Sequence, residues 1–155
     1  MSIGPHSYFR EIHVVGAGLA GSECALQLAD ILGPRGVKII LHEMRGTQHN
    51  TPAHRTSECA ELVCSNSFGS LASHSAAGLL KWEAEQLGSH ILGTALEARV
   101  PAGQALGMDR DLFAKLVSAK VEKHPSIQIR RELVSSLGEV PRPTVIATGP
   151  LTHDT

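Results

Sequence analysis

The apolar and polar positions near the start of the chain change period twice, which predicts three consecutive elements. Residues 11–15 are rich in β-branched side chains and stop at a glycine, as a short buried strand does. Over residues 19–32 polar side chains recur at steps of three and four, which predicts a helix with one narrow polar face. Residues 37–41 form a second apolar run after a Gly-Pro turn. The order strand, helix, strand predicts a parallel βαβ unit with a right-handed crossover.

The middle of the chain predicts a long loop followed by a helix. Residues 46–57 are polar and show no period, so we predict a loop, and loops of this length are often functional. Residues 76–87 have helical spacing. On this helix we expect Leu80, Ala84 and Leu87 to be buried, and Lys81 and Glu85 to be exposed.

The last third of the chain predicts one more helix and two more strands. Asp109 is expected to cap a helix that runs to Lys123, where a His-Pro pair ends it. The expected buried side of this helix consists of Leu112, Phe113, Leu116, Val117 and Ala119. Residues 127–131 and 144–147 are strand predictions. Together with the βαβ unit they predict an α/β fold with a parallel sheet.

Composition and charge narrow the class of protein. The 155 residues are 42% hydrophobic and 19% charged, which suits one globular domain with a single core. With one Trp, one Tyr and three Phe, that core must be mostly aliphatic. The formal net charge of -1 excludes a strongly basic surface, so a nucleic-acid partner would need a local patch or another chain.

Location and metal content are predicted from what the sequence lacks. No apolar run reaches the ~18 residues of a membrane span and residues 1–10 resemble no signal peptide, so we predict a cytoplasmic protein without membrane association. Three cysteines argue against a disulfide framework. Because Cys59 and Cys64 lack the spacing of a zinc knuckle, and the nine His form no recognisable ligand pair, we predict no metal site.

A glycine motif lies between the first predicted strand and helix, where a dinucleotide-binding fingerprint is found. It consists of Gly16, Ala17, Gly18, Leu19, Ala20 and Gly21. In such a motif Gly16 permits the tight turn, Gly18 lets the backbone approach a pyrophosphate, and Gly21 lets the helix lie close to the sheet. The pyrophosphate rests on the helix N-terminus. The alternative is that these glycines serve tight packing alone.

Two further segments extend the predicted nucleotide site. Glu43 ends the second strand 22 residues after Gly21, where the acidic residue of the fingerprint accepts hydrogen bonds from ribose hydroxyls. FAD and NAD share this recognition. Residues 145–150 resemble the second flavin motif of two-dinucleotide-domain flavoproteins, which would place Thr148 and Gly149 beside the cofactor. The alternative for this segment is an ordinary strand that ends in a Gly-Pro turn.

Several short motifs spread over residues 14–152 together resemble one family. They are Thr51-Pro52-Ala53-His54, Ala60-Glu61-Leu62-Val63-Cys64-Ser65-Asn66-Ser67, Gly78-Leu79-Leu80-Lys81, Val100-Pro101-Ala102-Gly103 with Asp109-Arg110, and Ala147-Thr148-Gly149-Pro150-Leu151-Thr152. The family is that of the bacterial FAD- and methylenetetrahydrofolate-dependent tRNA (uracil-5-)-methyltransferases, relatives of the flavoproteins that install carboxymethylaminomethyl groups on tRNA. The run containing Cys64 is far more specific than the glycine motif.

The resemblance implies a tRNA uridine methylase that uses flavin instead of S-adenosylmethionine. In that family reduced FAD accepts a methylene group from the folate, passes it to C5 of a T-loop uridine and supplies the reducing equivalents, and NAD(P)H reduces the flavin. The cysteine that corresponds to Cys64 lies near the flavin and takes part in uracil activation, as a thiolate or as an acid/base group. This is sound chemistry, because C5 of uracil is a poor nucleophile until a thiolate adds at C6.

The three cysteines are predicted to have different roles. A single Cys64 without its surrounding motif would be better explained as a buried inert thiol, and the motif reverses that interpretation. Cys64 is therefore the candidate catalytic residue. Cys24 is predicted to belong to the core, and the role of Cys59 is left open.

The chain also departs from the family pattern. Gly46 stands where proline is usual, Gly69 where arginine is usual, and Gln104 where glycine is usual. Family members are well over twice as long. We therefore expect residues 1–155 to be the N-terminal part of an FAD-binding domain, without the folate and tRNA domain and inactive alone.

The sequence leaves three functions open. The first is an N-terminal fragment of the methyltransferase that binds FAD through the glycine motif, Glu43, Thr148 and Gly149, with tRNA bound elsewhere. The second is a non-catalytic remnant that folds poorly or merely binds nucleotide. The third is an NAD-binding module of an unrelated oxidoreductase.

Overall fold

The computed structural model describes residues 9–153 and contains two sheets and four α-helices within that range. The strands are β1 (Glu11–Val15), β2 (Lys38–Glu43), β3 (Ser67–Ser70), β4 (Arg99–Val100), β5 (Ala105–Met108), β6 (Ile127–Arg131) and β7 (Thr144–Ile146). The helices are α1 (Leu19–Leu32), α2 (Ala76–Gln86), α3 (His90–Glu97) and α4 (Arg110–Lys123), with 3-10 turns at Gly33–Arg35, Leu137–Glu139 and Gly149–Leu151.

The larger sheet is parallel and has the order β6-β2-β1-β7. Glu11 of β1 lies opposite Lys38 of β2, and His13 of β1 lies opposite Thr144 of β7. Because all four strands run the same way, the carboxyl ends of β1, β2 and β7 meet at one edge. The predicted α/β fold, its βαβ unit and both later strands are confirmed.

The main core lies between this sheet and the helices α1 and α4. α1 packs against β2 and α4 packs against β6. Fully buried members include Val14, Ile39, Leu41, Phe113 and Val117. The core is aliphatic apart from a few rings, as the composition predicts.

A small antiparallel sheet of order β3-β5-β4 was not predicted, and neither was α3. β4 has two residues, and Gly69 interrupts β3 with φ +74°, so neither strand shows alternating apolar positions. Leu106 and Met108 of β5 are buried. This sheet is held by its packing against the main core, which local sequence does not show.

The position predicted for α2 is confirmed, but its predicted faces are confirmed only in part: Ala84 packs against the core and Glu85 is exposed, as expected, whereas three other residues differ. Leu80 and Leu87, expected inside, are 65% and 79% exposed. Lys81, expected outside, donates from Nζ to a backbone carbonyl of β3 at 2.9 Å. The reason is Gly78, whose missing side chain lets α2 lie against residue 72: a Cβ there would be 2.0 Å from the carbonyl oxygen of Ala72.

The N-cap and bounds predicted for α4 are confirmed. The Asp109 side chain accepts from the backbone N–H groups of Asp111 and Leu112, each at 3.0 Å. Phe113 and Val117 are buried as predicted, whereas Leu112 is 44% exposed. The buried residues of α4 are Phe113, Ala114, Val117, Ser118 and Val121. The buried face is therefore shifted by one residue from the face that the apolar pattern predicted.

The polar face predicted for α1 is only partly a solvent face. Glu23 accepts from Ser89 Oγ at 3.0 Å and from the backbone N–H groups of His90 and Ile91 at 3.1 and 2.7 Å. These N–H groups lie at the start of α3, where a carboxylate is favoured by the helix dipole. Burial raises the pKa of Glu23, but these hydrogen bonds and one from Gln27 outweigh it and the net pKa is lowered.

The three departures from the family pattern fit the backbone. Gly46 has φ +82° and its N–H donates to Asn50 Oδ1 at 3.1 Å, and a proline could do neither. Gly69 has a positive φ that would strain an arginine. Gln104 replaces glycine without such strain, since Ala60 alone among the described non-glycine residues has a positive φ.

No α-helix within residues 9–153 is long and apolar enough to cross a bilayer. Over the same range, no three His, Cys, Asp or Glu side chains are grouped so as to hold a metal ion. The cytoplasmic location stays a prediction.

Candidate cofactor-binding site

A cleft of about 340 Å³ opens at the carboxyl ends of β1, β2 and β7. In open parallel sheets this edge is where ligands bind. The cleft is lined by most of the residues predicted to bind cofactor: Gly16, Gly18, Leu19, Ala20, Glu43, Thr148 and Gly149. Ala17 and Gly21 lie behind them and are buried. The fold therefore brings together segments that are more than 100 residues apart in the sequence.

The three motif glycines have different structural reasons. A Cβ on Gly16 would lie 2.6 Å from the carbonyl oxygen of Ala147, and a Cβ on Gly21 would lie 1.7 Å from the carbonyl oxygen of Gly16. Both are needed for packing. A Cβ on Gly18 would meet no atom within 4 Å. Packing alone explains two of the glycines and leaves Gly18 without an explanation inside the protein.

The start of α1 leaves backbone N–H groups available at the cleft. Gly18 is the N-cap residue and has no side chain that could accept a hydrogen bond from the first N–H groups. The first turn of α1 contains no acidic residue either. The first N–H groups of an α-helix have no partner within the helix, and they favour anions. A phosphate group fits this arrangement, and Gly18 leaves room for it.

The carboxylate of Glu43 is buried and heavily hydrogen-bonded. It accepts from the backbone N–H of Ala17 at 2.7 Å and from that of Arg45 at 2.8 Å. Nε and Nη2 of Arg45 each donate to it at 3.0 Å. Burial raises the pKa of Glu43, but the hydrogen bonds and positive charge of Arg45 outweigh this and keep the pKa below its usual value. Glu43 is thus an ionised acceptor at neutral pH.

A second carboxylate, Glu61, orders the loop beside Glu43. It accepts from the backbone N–H groups of Arg55 and Thr56 at 2.9 and 3.1 Å and from Thr56 Oγ1 at 2.9 Å. Burial raises the pKa of Glu61, but these hydrogen bonds dominate and lower it. His54 also lines the cleft, and burial followed by the charge of Arg45 lowers its pKa.

Cys64 is close to the cleft along the chain but does not line it. Its neighbour Val63 lines the cleft, while Cys64 is exposed to solvent. The segment is attached through Ala60, which is fully buried, has φ +53° and donates its N–H to the carbonyl oxygen of Ala17 at 2.8 Å. The alternative of a buried inert thiol, which the motif already argued against, does not describe Cys64, and its catalytic role stays a prediction.

The other two cysteines are less accessible. Cys59 is fully buried and its backbone N–H donates to Ser118 Oγ at 2.7 Å. Burial raises the pKa of both Cys59 and Cys24. Neither thiol lines the cleft. Cys59 therefore has a packing role, and Cys24 packs against the core as predicted.

Sequence reasoning missed five polar residues that line the cleft: Arg45, His54, Glu61, Thr152 and His153. His54 and Glu61 lie within the family-like motifs and could have been singled out there. Arg45 lies two positions after Glu43, and only its side chain folding back onto Glu43 shows that it belongs to the site.

The family model described as "Glucose inhibited division protein A" matches residues 11–154 of this chain. A solved structure of Aquifex aeolicus GidA in the form II crystal is similar with a TM-score of 0.59 and 16% sequence identity. That similarity covers 79% of this chain and 19% of the other. At this level of identity the likeness concerns the fold.

Curated proteins named methylenetetrahydrofolate--tRNA-(uracil-5-)-methyltransferase TrmFO are similar along most of the chain. The protein from Bdellovibrio bacteriovorus is 63% identical over 145 residues, which is 94% of this chain and 32% of that protein. The protein from Aquifex aeolicus is 49% identical over 144 residues, covering 93% of this chain and 31% of that protein. The chain thus spans about a third of the length of the curated relatives it matches.

Proposed function

Because this chain belongs to the family described as glucose inhibited division protein A, we propose that its cleft holds the adenosine diphosphate half of FAD. The N-terminus of α1 and Gly18 would hold the pyrophosphate, and Glu43 would accept from the ribose hydroxyls. Thr148 and Gly149 would flank the cofactor at the end of β7. Bound FAD would supply the redox chemistry.

The observation that carries this proposal is the empty space at Gly18. Two of the motif glycines are explained by contacts within the protein, but Gly18 faces open volume at an uncapped helix N-terminus. A side chain there would occupy the space that an approaching phosphate needs. Packing within the protein therefore does not explain the complete motif. A phosphate that binds at the N-terminus of α1 would explain why residue 18 is a glycine.

The relatives extend the proposal to the reaction. Their names describe a methylenetetrahydrofolate-dependent tRNA (uracil-5-)-methyltransferase. We propose that this chain forms the cofactor-binding part of such an enzyme, with tRNA and the folate as substrates and NAD(P)H as reductant. The whole activity belongs to a protein of the relatives' length, of which this chain spans about a third.

Cys64 is proposed as the thiol that activates uracil. Its exposure lets a nucleobase approach, and its position next to Val63 keeps it near the mouth of the cleft. A thiolate that adds at C6 of uracil makes C5 nucleophilic, so that C5 can form a bond to the one-carbon unit that comes from the folate. Loss of the C5 proton and release of the thiolate from C6 then restore the ring. The fold supplies the attachment of this segment through Ala60 and Glu61.

The proposal is tested by FAD titration of the chain and of Gly18→Asp, followed by flavin fluorescence. Gly18→Asp puts a charged side chain into the phosphate space, and we expect affinity to fall about 100-fold or more, equivalent to about 3 kcal/mol. Gly93→Asp is the matched control, because a Cβ at Gly93 on α3 also meets no atom within 4 Å and lies away from the cleft.

Each other result points to a rival function. Equal FAD affinity in Gly18→Asp and the unchanged chain would refute binding of the pyrophosphate at α1. Retention of NADH without flavin would favour an NAD-binding module. A folded chain that binds neither FAD nor NADH would refute the FAD site and the NAD-binding module, and would leave the non-catalytic remnant.

A further inference from the structure

The guanidinium of Arg45 is buried and touches three parts of the cleft, and the glycine motif does not account for it. Nε and Nη2 donate to the Glu43 carboxylate at 3.0 Å, and Nη2 also donates to the carbonyl oxygen of Ala17 at 3.1 Å. Nη1 is buried without a hydrogen-bond partner and lies 3.9 Å from Oε2 of Glu61. A buried charged donor that is left unpaired is costly, so this arrangement needs a reason.

The reason we suggest starts from the acceptor capacity of Glu43. Its two oxygens already accept four N–H donors, and a carboxylate offers about four acceptor positions. A ribose hydroxyl that donates to Glu43 must therefore displace or weaken one of them. Two of the donors are backbone groups fixed by the glycine loop and the end of β2. The guanidinium of Arg45 is the donor that can move.

A moving guanidinium has a second carboxylate within reach. Nη1 of Arg45 lies 3.9 Å from Oε2 of Glu61, and this distance needs to shorten to about 3 Å for a hydrogen bond to form. Glu61 lies three residues before Cys64 and already fixes the backbone of the preceding loop through Arg55 and Thr56. A stronger contact at Glu61 would therefore hold the segment that carries Cys64 more tightly.

From this geometry we infer that Arg45 is a positioning residue that transmits occupancy of Glu43 by a ribose to the segment 60–67, which carries Cys64. The inference rests on the proposed function, because it takes the ligand of Glu43 to be a nucleotide. In the free protein Arg45 neutralises Glu43. When a ribose hydroxyl donates to the Glu43 carboxylate and displaces a donor of Arg45, Nη1 of Arg45 moves to within hydrogen-bond distance of Glu61.

The pH dependence of nucleotide affinity would depend on the charged and titratable groups around Glu43. They are Arg45, Glu61 and His54 from the loop after β2, Cys59, and Arg131 on β6 opposite Glu43. Without the Arg45 side chain, Glu43 would keep the effect of burial, which raises its pKa, and would keep only two backbone N–H donors of the groups that lower it, having lost the side-chain hydrogen bonds and the positive charge of Arg45. Nucleotide affinity should then fall as the pH is lowered.

The first measurement is the rate at which N-ethylmaleimide alkylates Cys64, with and without ADP, followed by peptide mass spectrometry. ADP carries the ribose but no flavin ring, so it cannot shield Cys64 as an isoalloxazine could. We expect ADP to slow alkylation of Cys64 about fivefold or more, the range of a modest coupling between sites. The buried Cys59 serves as an internal reference.

Variants at Arg45 decide the inference. In Arg45→Met at saturating ADP the rate of Cys64 alkylation should no longer respond, and ADP affinity should fall as the pH is lowered from neutral to about pH 5, because protonation of Glu43 removes the acceptor of the ribose hydroxyl. The double variant Arg45→Met/Glu43→Gln should lose that pH dependence, which separates Glu43 from His54. Arg45→Lys keeps the charge but not the paired donors, so its affinity should stay flat with pH while the alkylation response is weakened.

Arg55→Met is the matched control, because Arg55 is exposed and contacts Glu61 through its backbone. It should keep the full response. An unchanged ADP response in Arg45→Met would overturn the inference, and if that variant does not fold, an unchanged response in Arg45→Lys would do so. Failure of the unchanged chain to bind either FAD or ADP would instead refute the proposed function.

Discussion

The glycine loop with Glu43 and the segment that carries Cys64 lie side by side but are built differently. The first region consists of buried backbone, a buried ion pair and glycines packed against other strands. The second is a short segment that exposes residues 64–66 and is tied to the first region through Ala60 and Glu61. In the proposed site, the binding surface is built on a rigid backbone, whereas the side chain proposed to be reactive lies on a short segment whose position a few contacts determine.

The largest expected effect breaks the rigid region. In Gly21→Ala the new Cβ would lie 1.7 Å from the carbonyl oxygen of Gly16, so α1 must move away from the sheet. We expect a loss of about 3 kcal/mol or more in the free energy of unfolding, measured by urea denaturation. Gly18→Ala is the control, and with open space around it should stay within about 1 kcal/mol. Equal losses in both variants would contradict the distinction between these glycines.

A smaller effect tests the buried charge pair. Glu43→Gln leaves the Arg45 charge buried without its partner, and we expect a loss of about 3 kcal/mol in the free energy of unfolding at neutral pH. The pKa of Glu43 is lowered in the folded protein, so its contribution is present above the unfolded pKa and is lost as the pH falls through the folded value. Urea denaturation should therefore show a shallower acid dependence below about pH 4.5 in the variant.

The control for the charge pair is Glu122→Gln, because Glu122 is exposed on α4. It should change neither the stability at neutral pH nor the acid dependence by a measurable amount. If Glu43→Gln and Glu122→Gln behave alike, the ion pair contributes little to folding and the rigidity of the first region has another source.

The smallest expected effect sharpens the comparison from the other side. Cys64→Ser changes an exposed side chain and should stay within about 0.5 kcal/mol of the unchanged chain. Cys59→Ser places a hydroxyl in a fully buried position and should cost about 1–3 kcal/mol. Thermal unfolding of both variants checks this. A large loss in Cys64→Ser would show that Cys64 packs rather than serves chemistry.

The parts of the fold that sequence predicts are those with a strong local pattern. β1, α1 and β2 have clear periodicity and glycine boundaries, and α4 has a capping residue at Asp109. The small sheet was missed because β4 has two residues and Gly69 interrupts β3. Leu80 and Leu87 were wrongly placed on the buried face of α2 because Gly78 is the residue that packs most closely, and an apolar pattern gives no weight to a missing side chain.

For the candidate site, the sequence by itself determined which residues follow the strand ends: the glycines after β1, an acidic residue at the end of β2, and the Thr148-Gly149 pair after β7. Parallel strands bring their carboxyl ends to one edge, so these positions follow from strand order. Only the tertiary structure decided that Arg45 folds back onto Glu43, that Glu61 lies beside them, and that Cys64 faces solvent. Side-chain partners across a fold depend on distances between segments, and no local period encodes them.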